Sequence, residues 1–127
     1  MVKGIGIDTA SIDRIRNMMA ALNEGALARL YTPAELAAAK ERHDPADYLA
    51  SRFAAKEAVF KALAHLTPEK RFDLRIVETL NDEEGCPAVT QSDDLAAVMA
   101  KAGVTTILIS ITTEGGLATA FVAVTDD

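Results

Sequence analysis

Residues 44–64, DPADYLASRFAAKEAVFKALA, read as one long helix. Asp44 stands at its N-cap and Pro45 at the first helical position, where a missing N–H costs nothing. On a wheel of about 100° per residue, Leu49, Phe53, Phe60 and Ala64 share one arc of about 60°, with Leu63 just outside it. That arc is the expected core face. Set into or against it are Arg52, Lys56, Glu57 and Lys61, three cations and one carboxylate within ten residues. Lys56 falls between Leu63 and Leu49, inside the apolar arc, and Glu57 borders its other edge. Two structural readings stand beside a functional one. Glu57 and Lys61 can close an i,i+4 pair worth about 0.2–0.5 kcal/mol, and Arg52 and Lys56 can pack their stems and send their charges to water. Alternatively, the four charges converge on a ligand.

The elements around this helix fall into place by pattern. VKGIGID, residues 2–8, alternates as a strand ending at Asp8, and Gly4 and Gly6 leave one face bare for a packed helix. SIDRIRNMMAAL, residues 11–22, places Ile12, Ile15, Met19 and Leu22 at helical spacing. In YTPAEL, residues 31–36, Thr32, Pro33 and Glu35 form a capping box. FDLRIVETL, residues 72–80, is expected as a strand, NDEEG as a turn and CPAV as a short strand. SDDLAAVMAKAG, residues 92–103, reads as a helix capped by Ser92 and closed at Gly103. TTILISIT and LATAFVAVT are β-rich runs joined by TEGG as a hairpin. The order predicts an α+β fold, helices on one face of a mainly antiparallel sheet, as a single domain over residues 1–127.

Composition narrows the function classes. Half of the 127 residues are apolar and a quarter charged, the pattern of a soluble globular chain. No apolar run approaches the roughly 18–20 residues of a membrane span, and the N-terminus lacks a signal-peptide pattern. The one cysteine, Cys86, excludes an internal disulfide and fits a reducing, cytoplasmic setting. It reads as a small buried or edge residue, and His43 and His65 as surface or capping histidines. Net charge is −6, unevenly spread. Residues 1–75 hold 12 Lys+Arg against 10 Asp+Glu, a balance of +2, and residues 76–127 hold 1 against 9, a balance of −8. A nucleic-acid binder would carry a larger basic surplus and more aromatic stacking surface; the cations fit a small anionic ligand, an acidic protein or, equally, a solvated surface with uneven charge. Asp8, at a strand end, and Glu57, on the helix, are a candidate pair for a hard cation. Mg²⁺ takes one or two carboxylates and fills its octahedron with water and phosphate oxygens.

Two segments carry a resemblance. GIGID followed by IDRI, and SRFAAKEAVFKAL with its Arg-Phe-x-x-Lys-Glu-Ala core and further Lys, resemble the two signatures of the holo-acyl-carrier-protein synthases, the small single-domain 4′-phosphopantetheinyl transferases. YTPAEL, GCPAV and LISIT resemble intervening segments of that family in order and spacing. The resemblance implies transfer of 4′-phosphopantetheine from coenzyme A to a serine of apo acyl carrier protein, with release of adenosine 3′,5′-bisphosphate. It implies Mg²⁺ on Asp8 and Glu57, Glu57 as general base, and Lys61 neutralising charge on the bridging phosphate oxygens or the leaving group. It further implies Arg52, Lys56, Pro87 and Ser110 as coenzyme A contacts and Arg14 as a contact to the carrier protein. A homotrimer with the site between subunits is implied as well, and neither nucleic acid nor membrane as a partner.

The chain departs from the family pattern at three places. Leu108 and Thr113 stand where the late strand usually has His. AHLTPEKRF, residues 64–72, has no glycine where the family has a Gly-rich turn, leaving Lys70 and Arg71 as the cations of that segment. Ser11 occupies a position where many relatives carry Glu. These departures keep an alternative open: a non-catalytic carrier-protein-binding or structural module of the same fold.

Overall fold

Gly4 and Gly6 decide how the molecule is put together. The computed structural model describes residues 1–68 and 72–127. Strand β1 (Val2–Ser11) lies directly on helix α4 (Pro45–Leu63). A Cβ at Gly6 would stand 2.0 Å from the carbonyl oxygen of Ala58, and one at Gly4 would stand 2.3 Å from that of Ala62. Only residues without a side chain permit this backbone-on-backbone approach.

Between β1 and α4 the chain forms α1 (Ile12–Ala21), the short α2 (Glu24–Leu27) and α3 (Pro33–Lys40). Each begins at a residue whose side-chain oxygen accepts a backbone N–H: Ser11, Asn23 and Thr32. The Thr32–Glu35 capping box forms in full. After α4 come a single 3₁₀ turn (Leu74–Ile76), β2 (Thr79–Asn81), β3 (Pro87–Val89), α5 (Asp93–Ala102), β4 (Thr106–Glu114) and β5 (Leu117–Thr125). The strands β1, β5 and β4 make one antiparallel sheet with β5 in the centre, and β2–β3 is a separate two-stranded ribbon. Gly115 and Gly116, both at positive φ, turn β4 into β5.

Sheet register sorts the side chains. Asp8 pairs with Ala120, which pairs with Ile111, so these three form one row across the sheet. Ala118, Ala120, Val122 and Val124 of β5 are fully buried on the side of α4. The opposite face keeps Ile5, Ile7, Leu108 and Phe121 exposed, at 61, 58, 55 and 45 %. The α+β expectation, helices on one face of a mainly antiparallel sheet, describes this architecture. No helix among the described residues is long and apolar enough to cross a membrane.

Several local expectations are corrected. β1 continues past Asp8 to Ser11, pairing with β5 all the way to Leu117. The strand expected over residues 72–80 shrinks to three residues. Asp73 accepts the Arg75 amide and starts the 3₁₀ turn, so the alternation there belongs to a turn. The core face of α4 is only in part the arc of large side chains: Leu49 is buried, but the other members of the arc are not fully so. Ala54, Ala55, Ala58, Val59, Ala62 and Leu63 are wholly buried, whereas Phe53 and Phe60 are only partly so. Small residues face the sheet because the glycines of β1 bring the two backbones together. Of the two readings of Cys86, buried or edge, burial is excluded: the residue is exposed, directly before β3.

Candidate active site

The charges of α4 separate into three environments. The first gathers at β1. Lys61 Nζ donates to Asp8 Oδ1 and to the Ile7 carbonyl, both at 3.0 Å, with Asp8 19 % exposed and Lys61 51 %. Glu57 lies one turn before Lys61 and is partly buried. Its carboxyl is held above the usual range, first by loss of water around it and then by the negative charge of Asp8, with Lys61 opposing. Two carboxylates close enough for the charge of Asp8 to disfavour ionisation of Glu57, beside an ammonium, are a donor set that suits a hard divalent cation. Sequence reasoning groups Asp8, Glu57 and Lys61, and the fold brings the three together. The expected helix pair takes a different form, since Lys61 reaches across to β1.

Arg52 defines the second environment. It is buried, and it donates from Nε to the Thr79 carbonyl (3.1 Å), from Nη1 to Ser51 Oγ (2.9 Å) and from Nη2 to Asn81 Oδ1 (2.6 Å). Its guanidinium stacks 4.1 Å from the Tyr48 ring centre, and Arg42 lies 4.8 Å from the same ring. Around it opens a cleft of about 460 Å³, lined by Arg42, His43, Arg52, Asn81, Pro87 and Thr113, among others. Pro87, which the resemblance assigns to coenzyme A, lines this cleft. Arg42, His43, Tyr48 and Asn81 are additions that sequence reasoning missed, although Arg42 and His43 directly precede the helix cap and so sit at a helix N-terminus. Ile111 also lines this cleft, and it shares a sheet row with Asp8. Two strand spacings, about 10 Å, therefore separate the carboxylate cluster from the cleft wall.

Lys56 occupies the third environment, and its expected contact with nucleotide phosphates is not one it can make here. The ammonium is wholly buried, 2.7 Å from Glu35 Oε1, and donates to the carbonyls of Leu74 (3.0 Å) and Val77 (2.8 Å). An ammonium has three donors, and all are taken. Burial alone drives its pKa down, while Glu35, chief of the opposing groups, favours the charged form. The snorkelling reading fails for Lys56 and Arg52 alike, because partners inside the protein replace water.

Two expected site residues stand apart. Ser110 is exposed on the open sheet face opposite Phe121, away from the cleft, whereas Thr113 faces the cleft. Arg14 is exposed and lines a groove of about 290 Å³ with Thr9, Ser11, Met18 and Phe53. Lys70 and Arg71, the cations expected to serve the glycine-poor segment, lie outside the described residues. Among the described residues, no group of three or more His, Cys, Asp or Glu side chains forms a metal cage.

The fold thus sets paired carboxylates, one on a strand and one on the long helix, beside a cleft that holds a buried arginine. Residues 4–122 match the family model described as the 4′-phosphopantetheinyl transferase superfamily. A holo-[acyl-carrier-protein] synthase of Desulforudis audaxviator is 40 % identical over 95 % of this chain and 91 % of its own length. One from Clavibacter michiganensis is 39 % identical over 100 % and 98 %. The crystal structure of the Neisseria meningitidis holo-[acyl-carrier-protein] synthase superposes with a TM-score of 0.86 at 30 % identity, covering 98 % of both chains. That of Helicobacter pylori, in complex with coenzyme A, gives 0.79 at 28 % identity, covering 95 % of this chain and 99 % of its own. This chain belongs to the 4′-phosphopantetheinyl transferase superfamily, within its holo-[acyl-carrier-protein] synthase family of enzymes.

Proposed function

We propose that the protein moves 4′-phosphopantetheine from coenzyme A to a serine hydroxyl of an apo acyl carrier protein, releasing adenosine 3′,5′-bisphosphate. The observation that carries this reading is the Asp8–Glu57–Lys61 cluster, set beside the cleft that holds Arg52 and Pro87. The serine oxygen forms a new bond to the phosphorus next to the pantetheine, and the bond to the bridging oxygen breaks. Glu57 takes the serine proton, directly or through water, and its raised pKa makes it a stronger base than an ordinary carboxylate. Lys61 lies one helical turn beyond Glu57 and balances charge growing on the departing oxygen. Asp8 and Glu57 would hold Mg²⁺, which when bound polarises the pyrophosphate and neutralises part of its charge. The two carboxylates fit that ion by number and by hardness.

Arg52 and Pro87 line the end of the site proposed for the nucleotide. Arg52 is held by Ser51, Thr79 and Asn81, so its charge stays in place without a bound anion. Arg42 and His43 add cationic capacity at the same mouth. Arg14, on the exposed side of α1, is assigned to the acidic carrier protein. Ser110 would reach coenzyme A only from a second copy. The exposed face carrying Ile5, Ile7, Leu108 and Phe121 supports such an assembly, since monomers rarely leave apolar patches of this kind in water. A homotrimer, with each site shared between neighbours, satisfies both features. The lone exposed thiol of Cys86 fits the reducing cytoplasm.

The test is direct. Purified protein, Mg²⁺, coenzyme A and an apo carrier protein are incubated, and the carrier is weighed by mass spectrometry. Gain of the phosphopantetheine mass is expected, together with its loss on chelation. No gain with fatty-acid or polyketide carriers would leave the non-catalytic module as the better reading. Light scattering should give three times the monomer mass, falling to one with Ile7→Lys.

A further inference from the structure

In the sequence Glu35 is legible only as the third residue of a capping box. In the folded chain it is wholly buried, with three partners from three elements. Oε1 accepts the Thr32 amide (2.9 Å) and faces Lys56 Nζ (2.7 Å), and Oε2 accepts the Thr79 amide at 3.0 Å. Lys56 in turn holds the Leu74 and Val77 carbonyls, so the pair grips the chain on both sides of the 3₁₀ turn leading into β2. Thr79 is the first residue of β2. Glu35 holds its amide and Arg52 Nε its carbonyl, which leaves this peptide segment clamped between two buried charged side chains. Its own hydroxyl is buried without a hydrogen-bond partner, so the backbone makes every polar contact found for Thr79.

Beyond Thr79, the ribbon lines the cleft. Asn81 receives Arg52 Nη2, and Asn81 pairs with Pro87 across the ribbon. A shift of β2 would carry the Thr79 carbonyl, Asn81 and Pro87 with it, and Arg52 would lose two of its three anchors. We infer that the buried Glu35–Lys56 pair is a positioning element for coenzyme A, clamping β2 so that Arg52, Asn81 and Pro87 keep the geometry of the nucleotide end of the cleft. The pair touches no ligand. This inference rests on the reading of that cleft as the coenzyme A site.

The role separates from a merely structural one by experiment. Replacing a buried ion pair by apolar residues of similar size often leaves stability intact. Glu35→Met/Lys56→Met therefore removes both charges without stranding either one, and takes away the Thr79 acceptor with them. By calorimetry its affinity for coenzyme A should fall about tenfold. In the transfer assay KM for coenzyme A should rise by a similar factor, with kcat within about twofold of wild type. A folded double variant with wild-type affinity and KM overturns the inference alone, as does one that loses kcat at unchanged KM. Should the double variant fail to fold, Glu35→Gln takes its place, and an unchanged KM there is equally decisive. A wild type that does not bind coenzyme A overturns the underlying reading of the cleft, and this inference with it.

Discussion

Lys56 and Lys61 stand five residues apart on one helix, each beside a carboxylate, yet they inhabit opposite regimes. Lys56 and Glu35 are both wholly out of water, with each donor of the ammonium assigned. Lys61 and Asp8 sit at the edge of solvent, with a second carboxylate, Glu57, close enough to disturb the balance. A buried pair that lacks nothing has no capacity for a ligand, and losing one partner strands the other. A half-open cluster with surplus negative charge is the reverse: it contributes little to folding, and it is the cluster proposed above to hold a cation. The same residue types thus sit in opposite surroundings, and exposure decides which pair is open to a ligand.

This contrast can be broken from either side. The largest effect is expected for Glu57→Gln, which should reduce transfer by about 10²–10⁴-fold, as loss of a general base does. Its thermal midpoint should stay close to wild type, and normal activity would remove Glu57 from the site. Next comes Lys56→Ala. It strands Glu35 and should cost about 3–5 kcal/mol by denaturant titration; a loss below about 1 kcal/mol would mean that the buried pair holds nothing. By comparison Lys61→Ala should change stability by less than about 1 kcal/mol, as exposed pairs do, while clearly slowing transfer. Thr79→Val replaces an unpartnered buried hydroxyl by a methyl and should stabilise the protein by about 1 kcal/mol.

The smallest effect belongs to an exposed reference pair. Arg16 meets Asp44 at 2.9 and 3.2 Å, and that contact, more than any other, holds the Asp44 carboxyl below its ordinary value of 3.8. A depressed carboxyl adds stability above the unfolded pKa and loses it as pH falls through the folded one. Stability should therefore drop slightly below about pH 4, and Arg16→Gln should flatten that limb of the pH profile.

Much of this is legible in the sequence, and the rest is hidden for identifiable reasons. Caps and strand alternation act over a few residues, so α1, α3, α4, α5 and the β4–β5 hairpin can be read from local pattern. Gly4 and Gly6 announce a close helix. Lys56 is visibly misplaced on the wheel, but its partner stands 21 positions earlier in a motif already explained by capping. Nothing local says that a capping carboxylate has an oxygen to spare for β2. The cleft is hidden for a similar reason. Arg42 and His43 look like an ordinary helix lead-in until β2–β3 folds over them, and that ribbon forms from a segment whose alternation promises a longer strand. Ser110 is placed by motif, and only the register of β4 against β5 shows which face it occupies.

The contact of Gly4 and Gly6 with Ala62 and Ala58 bears on how far the site can drift. Side chains hop between rotamers, so a joint made of them has play; a joint made of peptide groups has almost none. Asp8 lies two residues past Gly6, and Glu57 directly precedes Ala58. The separation of the two carboxylate backbones is therefore set by a contact with no adjustable parts. Sequence change can resize the cleft around Arg52 or recharge the groove at Arg14. It cannot insert so much as a methyl group between β1 and α4 without moving both carboxylates at once.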